Sequence, residues 1–215
     1  MAIDFTSMGA GATNPAPATA PVEVTPTTPG ISLDLDKHNL LNLDKIAPGL
    51  TKVDLAAQWD ASACGADADL DISVFLCHED GKIHSGDDVI FYNHKDVNGI
   101  HLDKDNRTGA GDGDDETISM DLNAINPSIH KIVCCVTIDK ATERHQTFGM
   151  VTNSLVRLVN KDTNAEIARY SLKEDCKTAT AIVFAELVKD NGSWVFHTIG
   201  EGLVADLNGI AARFQ

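Results

Sequence analysis

The stretch His130–Ile138, HKIVCCVTI, places Ile132, Cys134, Val136 and Ile138 at every second position. A period of two is the period of a strand with one face turned to a core. Working outward, similar short segments recur on both sides. Upstream lie Thr117–Leu122, Val89–Tyr92 and the nearly continuous apolar run Ile72–Cys77, ISVFLC. Downstream lie Leu155–Val159, Glu166–Leu172, Ala181–Val188 and Trp194–Ile199. The last two flank Asn191-Gly192, a hairpin signal because both residues tolerate positive φ. Leu203, Leu207, Ile210 and Phe214 recur at helical spacing and predict one short C-terminal helix. Many short strands with turn residues between them predict a mainly β chain folded as a β-sandwich.

The 215 residues divide by composition. Residues 1–29 hold five of the seven prolines among Ala, Thr and Gly and read as an extended arm or linker. Residues 30–215 read as the sandwich domain. The net charge is −15, and residues 60–116 carry 15 of the 32 acidic side chains against four of the 17 basic ones. Such a balance excludes nucleic-acid binding, which needs clustered Lys and Arg. No apolar run is long enough for a membrane span, and no basic residue or apolar stretch marks a secretory signal at the N-terminus. Five cysteines without C-x-x-C spacing predict free thiols in a reducing cytoplasm rather than zinc or disulfides.

The acidity concentrates in two elements. Lys104–Glu116, KDNRTGAGDGDDE, sets Asp105, Asn106, Asp112, Asp114, Asp115 and Glu116 among three glycines. These oxygens would repel one another unless a hard cation sat among them. Before the apolar run at Ile72 stands Asp67-Ala-Asp69-Leu-Asp71, whose carboxylates share one face of an extended chain. Calcium takes six to eight oxygens in flexible geometry, which two acidic loops at one end of a sandwich supply. Asp87, Asp88 and Asn93 bracket the intervening strand as further candidates. An EF-hand is excluded: a frame from Asp103 finds Thr108 where glycine is required, and no helices flank it. The histidines, His78, His84, His94 and His101 among them, never pair with cysteine at a ligand spacing. Neither Cys134 nor Cys135 has a paired histidine or helix terminus to activate it. G-x-S-x-G, P-loop, G-x-G-x-x-G and H-E-x-x-H motifs do not occur.

Several runs together resemble a known family. Ala47-Pro-Gly-Leu-Thr-Lys-Val53, Trp59-Asp60, DADLDISVFL, FYN, KDNRTGAGDGDDE, KIVCCVTI and RHQTFGMVTNSLVRLVN are similar to a TerD-type tellurite-resistance and stress-response domain. The resemblance spans residues 30–215 and leaves the arm outside. It implies a sandwich that binds calcium at two neighbouring sites, without enzymatic activity. The ligands it implies are Asp69, Asp71 and Asn93, then Asp105, Asn106, Asp112, Asp114, Asp115 and Glu116. Ala110 replaces an acid common in the family, Ala68 an aromatic residue, and Ala56-Ala57-Gln58 a glycine-rich stretch, which implies that one calcium site is weak. Calcium would then order the acidic loops for a protein partner. The alternative is a TerD-like structural or decoration subunit of a larger assembly such as a virion, self-associating or tethered through its N-terminal arm. Either the cytoplasm or a particle assembled there would be its location.

Overall fold

A computed structural model describes residues 20–24, 32–60, 68–97, 99–104, 106–110, 113–172 and 176–215. Two seven-stranded sheets stack face to face. The first runs β1 (Val22–Glu23), β3 (Asn39–Asn42), β14 (Ser193–Leu203), β13 (Ala181–Asp190), β10 (Lys131–Ile138), β5 (Leu70–Cys77), β6 (Val89–Ile90). The second runs β2 (Leu33–Leu35), β12 (Ala165–Ser171), β11 (Thr152–Asn160), β4 (Lys52–Asp60), β9 (Glu116–Asp121), β8 (Ile100–Lys104), β7 (Asp96–Val97). Among the described residues only β1 with β3 and β2 with β12 pair in parallel, so both sheets are mixed.

The alternation at Ile132, Cys134, Val136 and Ile138 is the inner face of β10. It packs with Leu70, Ile72, Val74 and Leu76 of β5 against Val53, Leu55, Ala57 and Trp59 of β4, and Ile118 and Met120 of β9. The outer face of the first sheet is also covered, which is why every residue of β5 is buried. There Phe75, Cys77, Val133, Cys135 and Val183 pack beneath Ile210 of the C-terminal helix α3 (Leu207–Ala211) and beneath Phe214.

The helix begins later than its apolar spacing predicts. Leu203 ends β14, and the Asp206 side chain caps α3 by accepting from the Gly209 N–H at 2.8 Å. An apolar residue at a strand end and one at a helical face are indistinguishable by spacing alone. At the β13–β14 hairpin Asn191 has φ 49° and Gly192 φ 89°, the conformation that this residue pair predicts. Strand β4, absent from the sequence-derived strands, carries the same period of two at Val53, Leu55, Ala57 and Trp59; Ala56, apolar between them, blurs the contrast. One-turn helices α1 (Leu43–Ile46) and α2 (Ala141–Arg144) were likewise without a periodic signal.

Part of the N-terminal arm enters the fold. Val22 N–H donates to His38 O at 2.7 Å and Val24 N–H to Leu40 O at 2.9 Å, so Ala20–Val24 lies along the sandwich edge. Residues 1–19 and 25–29 of the arm lie outside the described residues. Among the described residues no helix is long and apolar enough to cross a membrane.

Candidate metal centre

Trp59, near the end of β4, ties the two acidic elements together. Its backbone N–H donates to Asp115 Oδ2 at 3.0 Å, and its indole Nε1–H donates to Ala68 O at 3.1 Å. The first bond holds the second acidic loop and the other holds the first. Asp115, almost wholly buried, also accepts from Asn106 Nδ2 through Oδ1 at 2.7 Å, and its N–H donates to Ala57 O. Asn106 Oδ1 in turn accepts from Thr108 N–H and Oγ1, which folds the loop back on itself. Gly109 closes the packing: its φ is 64°, and a Cβ there would lie 2.5 Å from the Trp59 indole. Only glycine satisfies both conditions.

Glu116 opens β9, opposite Ala57, and is buried between the sheets. Strand β6 covers only Val74 and Phe75 of β5, leaving the Ile72 N–H beyond its pairing. Glu116 Oε2 accepts that N–H at 2.5 Å, so one carboxylate joins both sheets at the acidic end. Asp71, also buried, stands opposite Thr137 in the β5–β10 ladder. Asp69 O accepts from the Asp139 N–H at 2.8 Å just beyond that ladder. Asp69, Asp71 and Asp139 line one cavity of about 430 Å³ with Tyr92, Arg107, Thr108, Lys140 and Arg144.

The ligands predicted from the sequence therefore divide. Asp69 and Asp71 open on the cavity, while Asn106, Asp115 and Glu116 form the buried frame behind it. Asp114 is turned elsewhere: Arg157 Nη2 donates to its two oxygens at 2.6 and 2.5 Å, and Arg157 Nε at 3.0 Å. The adjacent positions 114 and 115 point apart, and a cation from β11, 43 residues downstream, fixes which goes where. Asn93 is exposed at the turn after Phe91 and does not line the cavity; its neighbour Tyr92 does. Asp105 and Asp112 lie outside the described residues, as do Asp67 and Cys64. Asp88 Oδ2 accepts from His84 and Ser85 N–H groups, and Asp87 is exposed.

The donor set suits a hard cation, since it consists of carboxylates and an amide oxygen without sulfur. Among the described residues alone, no three His, Cys, Asp or Glu side chains converge on a point that could hold a metal ion. Sequence reasoning missed Asp139, Arg107, Lys140, Arg144 and the tethering role of Trp59. Asp139 follows a strand that pairs with β5, so the pairing of the two apolar runs is the signal that would have placed it opposite Asp69.

Elsewhere the acidity is neutralised structurally. Arg157 Nη1 also donates to Glu166 Oε2 at 2.9 Å, beside Ser32 and Arg169 on Glu166 Oε1. Burial alone would raise the Glu166 pKa, but hydrogen bonds from Ser32, Arg169 and Arg157 outweigh it and hold the carboxyl below its ordinary value. Lys161 Nζ lies 3.3 Å from Asp54 and 3.2 Å from Asp103 on the outer face of the second sheet. The structure also stacks His78 on His84, with ring centres 3.8 Å apart, although no ligand spacing relates them in sequence. The thiols have no such activation: burial pushes Cys77 up to about 11 and raises Cys134 and Cys135 further.

A two-sheet sandwich with acidic elements gathered at one end is the class of protein defined by this fold and site. The chain belongs to the TerD domain family, whose sequence pattern matches residues 31–214. It is 42 % identical over 188 residues to tellurium resistance protein TerD of Serratia marcescens, covering 86 % of this chain and 97 % of that protein. General stress protein 16U of Bacillus subtilis (strain 168) is 43 % identical over 189 residues, with the same coverage of each chain. A crystal structure described as a homologue of telluride resistance protein (TerD), from Streptomyces coelicolor A3(2), superposes with a TM-score of 0.66 at 27 % identity. That match covers 76 % of this chain and 96 % of the other.

Proposed function

We propose that this chain is a calcium-binding, non-enzymatic protein of the cytoplasmic stress response, in which calcium orders the acidic elements for interaction with a partner. The supporting observation is the frame around Trp59, which fastens both acidic elements to one end of the sandwich and leaves Asp69 and Asp71 open to the same cavity. Calcium would neutralise those carboxylates, with further oxygens of the second acidic element needed to reach its usual six to eight. The names of its relatives, tellurium resistance protein and general stress protein, favour a role in stress tolerance. Raised thiol pKa values speak against chemistry on an oxyanion through Cys77, Cys134 or Cys135.

The test is thermal unfolding after chelator treatment, with and without added calcium. At about a hundredfold excess over Kd, one site adds about 2.7 kcal/mol of stability, and the midpoint should rise accordingly. A midpoint unmoved by millimolar calcium overturns the proposal. With metal bound, Asp69→Asn and Asp71→Asn should each remove most of that rise.

A further inference from the structure

The outer face of the first sheet turns polar at one end of its strands. Asp71 of β5 and Thr137 of β10 stand opposite each other there, 9 % and 4 % exposed. Thr137 has no side-chain hydrogen bond among the described residues, and burying a hydroxyl in that state is costly unless something meets it. Both residues line a cleft of about 480 Å³ between the α2 turn and α3, a size suited to a small molecule. Asp139 and Glu143 stand on its α2 side and Asp206 on its α3 side, so four carboxylates line it against one ammonium, that of Lys140. The walls between them are apolar: Val89, Ile138 and Leu207, with Phe91 and Tyr92 beside them. We propose that this cleft binds a linear aliphatic polyamine.

Charge and walls together select that class. A hard metal ion would use the carboxylates and gain nothing from the apolar walls, and a neutral apolar compound would do the reverse. Ammonium groups separated by methylenes use both. Each ammonium donates up to three hydrogen bonds, and each methylene segment between them buries apolar surface. One ammonium would meet Asp71 and the Thr137 hydroxyl, which accepts as well as donates. A second would reach Glu143 or Asp206, neither of which makes an ion pair among the described residues. Asp206 caps α3 with one oxygen and has the other to offer. Asp139 is already answered by Lys140 and Arg144, at 3.6 and 3.4 Å. The Phe91 and Tyr92 rings, edge to face at 5.3 Å between centres, add aromatic faces to which an ammonium is drawn. No metal ion takes part, so the site stands apart from the calcium proposal although Asp71 borders both cavities.

Calorimetry on the full chain, in chelator and at low salt, tests this with spermidine and with n-butylamine, which has one ammonium and an alkyl chain. Spermidine should bind at one per chain, at least about tenfold tighter than butylamine. A Glu143→Gln, Asp206→Asn double variant should lose at least about tenfold in that affinity; asparagine keeps the cap of α3. A Glu79→Gln, Asp162→Asn variant removes the same two charges from exposed positions outside the cleft and should lose less than about twofold. Thr137→Val keeps the shape of the side chain without its hydroxyl and should weaken spermidine binding about three- to tenfold. Melting midpoints without ligand show that each variant folds. Equal losses in the two double variants mean diffuse attraction of counter-ions and overturn the inference. So does the absence of spermidine binding at low millimolar concentration, butylamine binding as tightly as spermidine, or a Thr137→Val chain that binds as the parent does. With chelator present throughout, none of these outcomes bears on the calcium proposal.

Discussion

Glu116 closes the uncovered edge of one sheet against the other, and the consequence of losing it separates scaffold from cation binding. Glu116→Ala strands the buried Ile72 N–H and should cost about 1–3 kcal/mol in urea unfolding. Glu116→Gln keeps an acceptor oxygen and should cost clearly less. If the two variants unfold alike, the Ile72 bond contributes little. Gly109→Ala faces both a positive φ and the Trp59 indole, and should cost about 1–3 kcal/mol in urea unfolding; under the calcium proposal it should also shrink the rise in melting midpoint on adding calcium. Glu166 sets a pH dependence. Its folded pKa is depressed, so its ion pairs stabilise above the ordinary glutamate value near about 4.3, and that stability is lost as pH falls through the folded value. Arg157→Met removes one source of the depression, so its urea midpoint should fall less steeply than the parent's as pH drops below about 5.

At the scale of elements, the turn Asn191-Gly192 and the β10 face were legible because each is decided locally. Gly192 has φ 89° and no atom within 4 Å of a built Cβ, so Gly192→Ala should cost about 1 kcal/mol from backbone conformation alone. A larger loss in thermal unfolding would mean that the strands also shift. The inward set of β10 and β5 needs only alternation, and the sequence carries it. The site is less legible. Asp69 and Asp71 precede a recognisable strand and could be placed on one face, but Asp114 could not. Its direction is settled by Arg157 on a strand that pairs with β4, a long-range contact with no local trace. Asp139, Lys140 and Arg144 follow a strand end, and only the β5–β10 register brings them beside Asp69. The acid-rich window 60–116 also holds Asp103, whose charge Lys161 answers at 3.2 Å on the outer face of the second sheet.

Across the whole molecule, the outer face of the first sheet is as dry as the inner one, because α3 and Phe214 lie over it. Cys77, Cys134 and Cys135 should therefore resist iodoacetamide in the native protein and react once denaturant opens it, as read by mass spectrometry. Label on Cys135 under native conditions would mean that the helix lifts away. The sheets share another feature: their outermost members are β1 and β6 in one, β2 and β7 in the other, each of two or three residues. A strand that short offers too few open amide groups for a second chain to add itself by backbone pairing. Among the described residues, strands that short discourage a second chain from pairing with them, and with it the runaway stacking that turns exposed β-edges into fibrils.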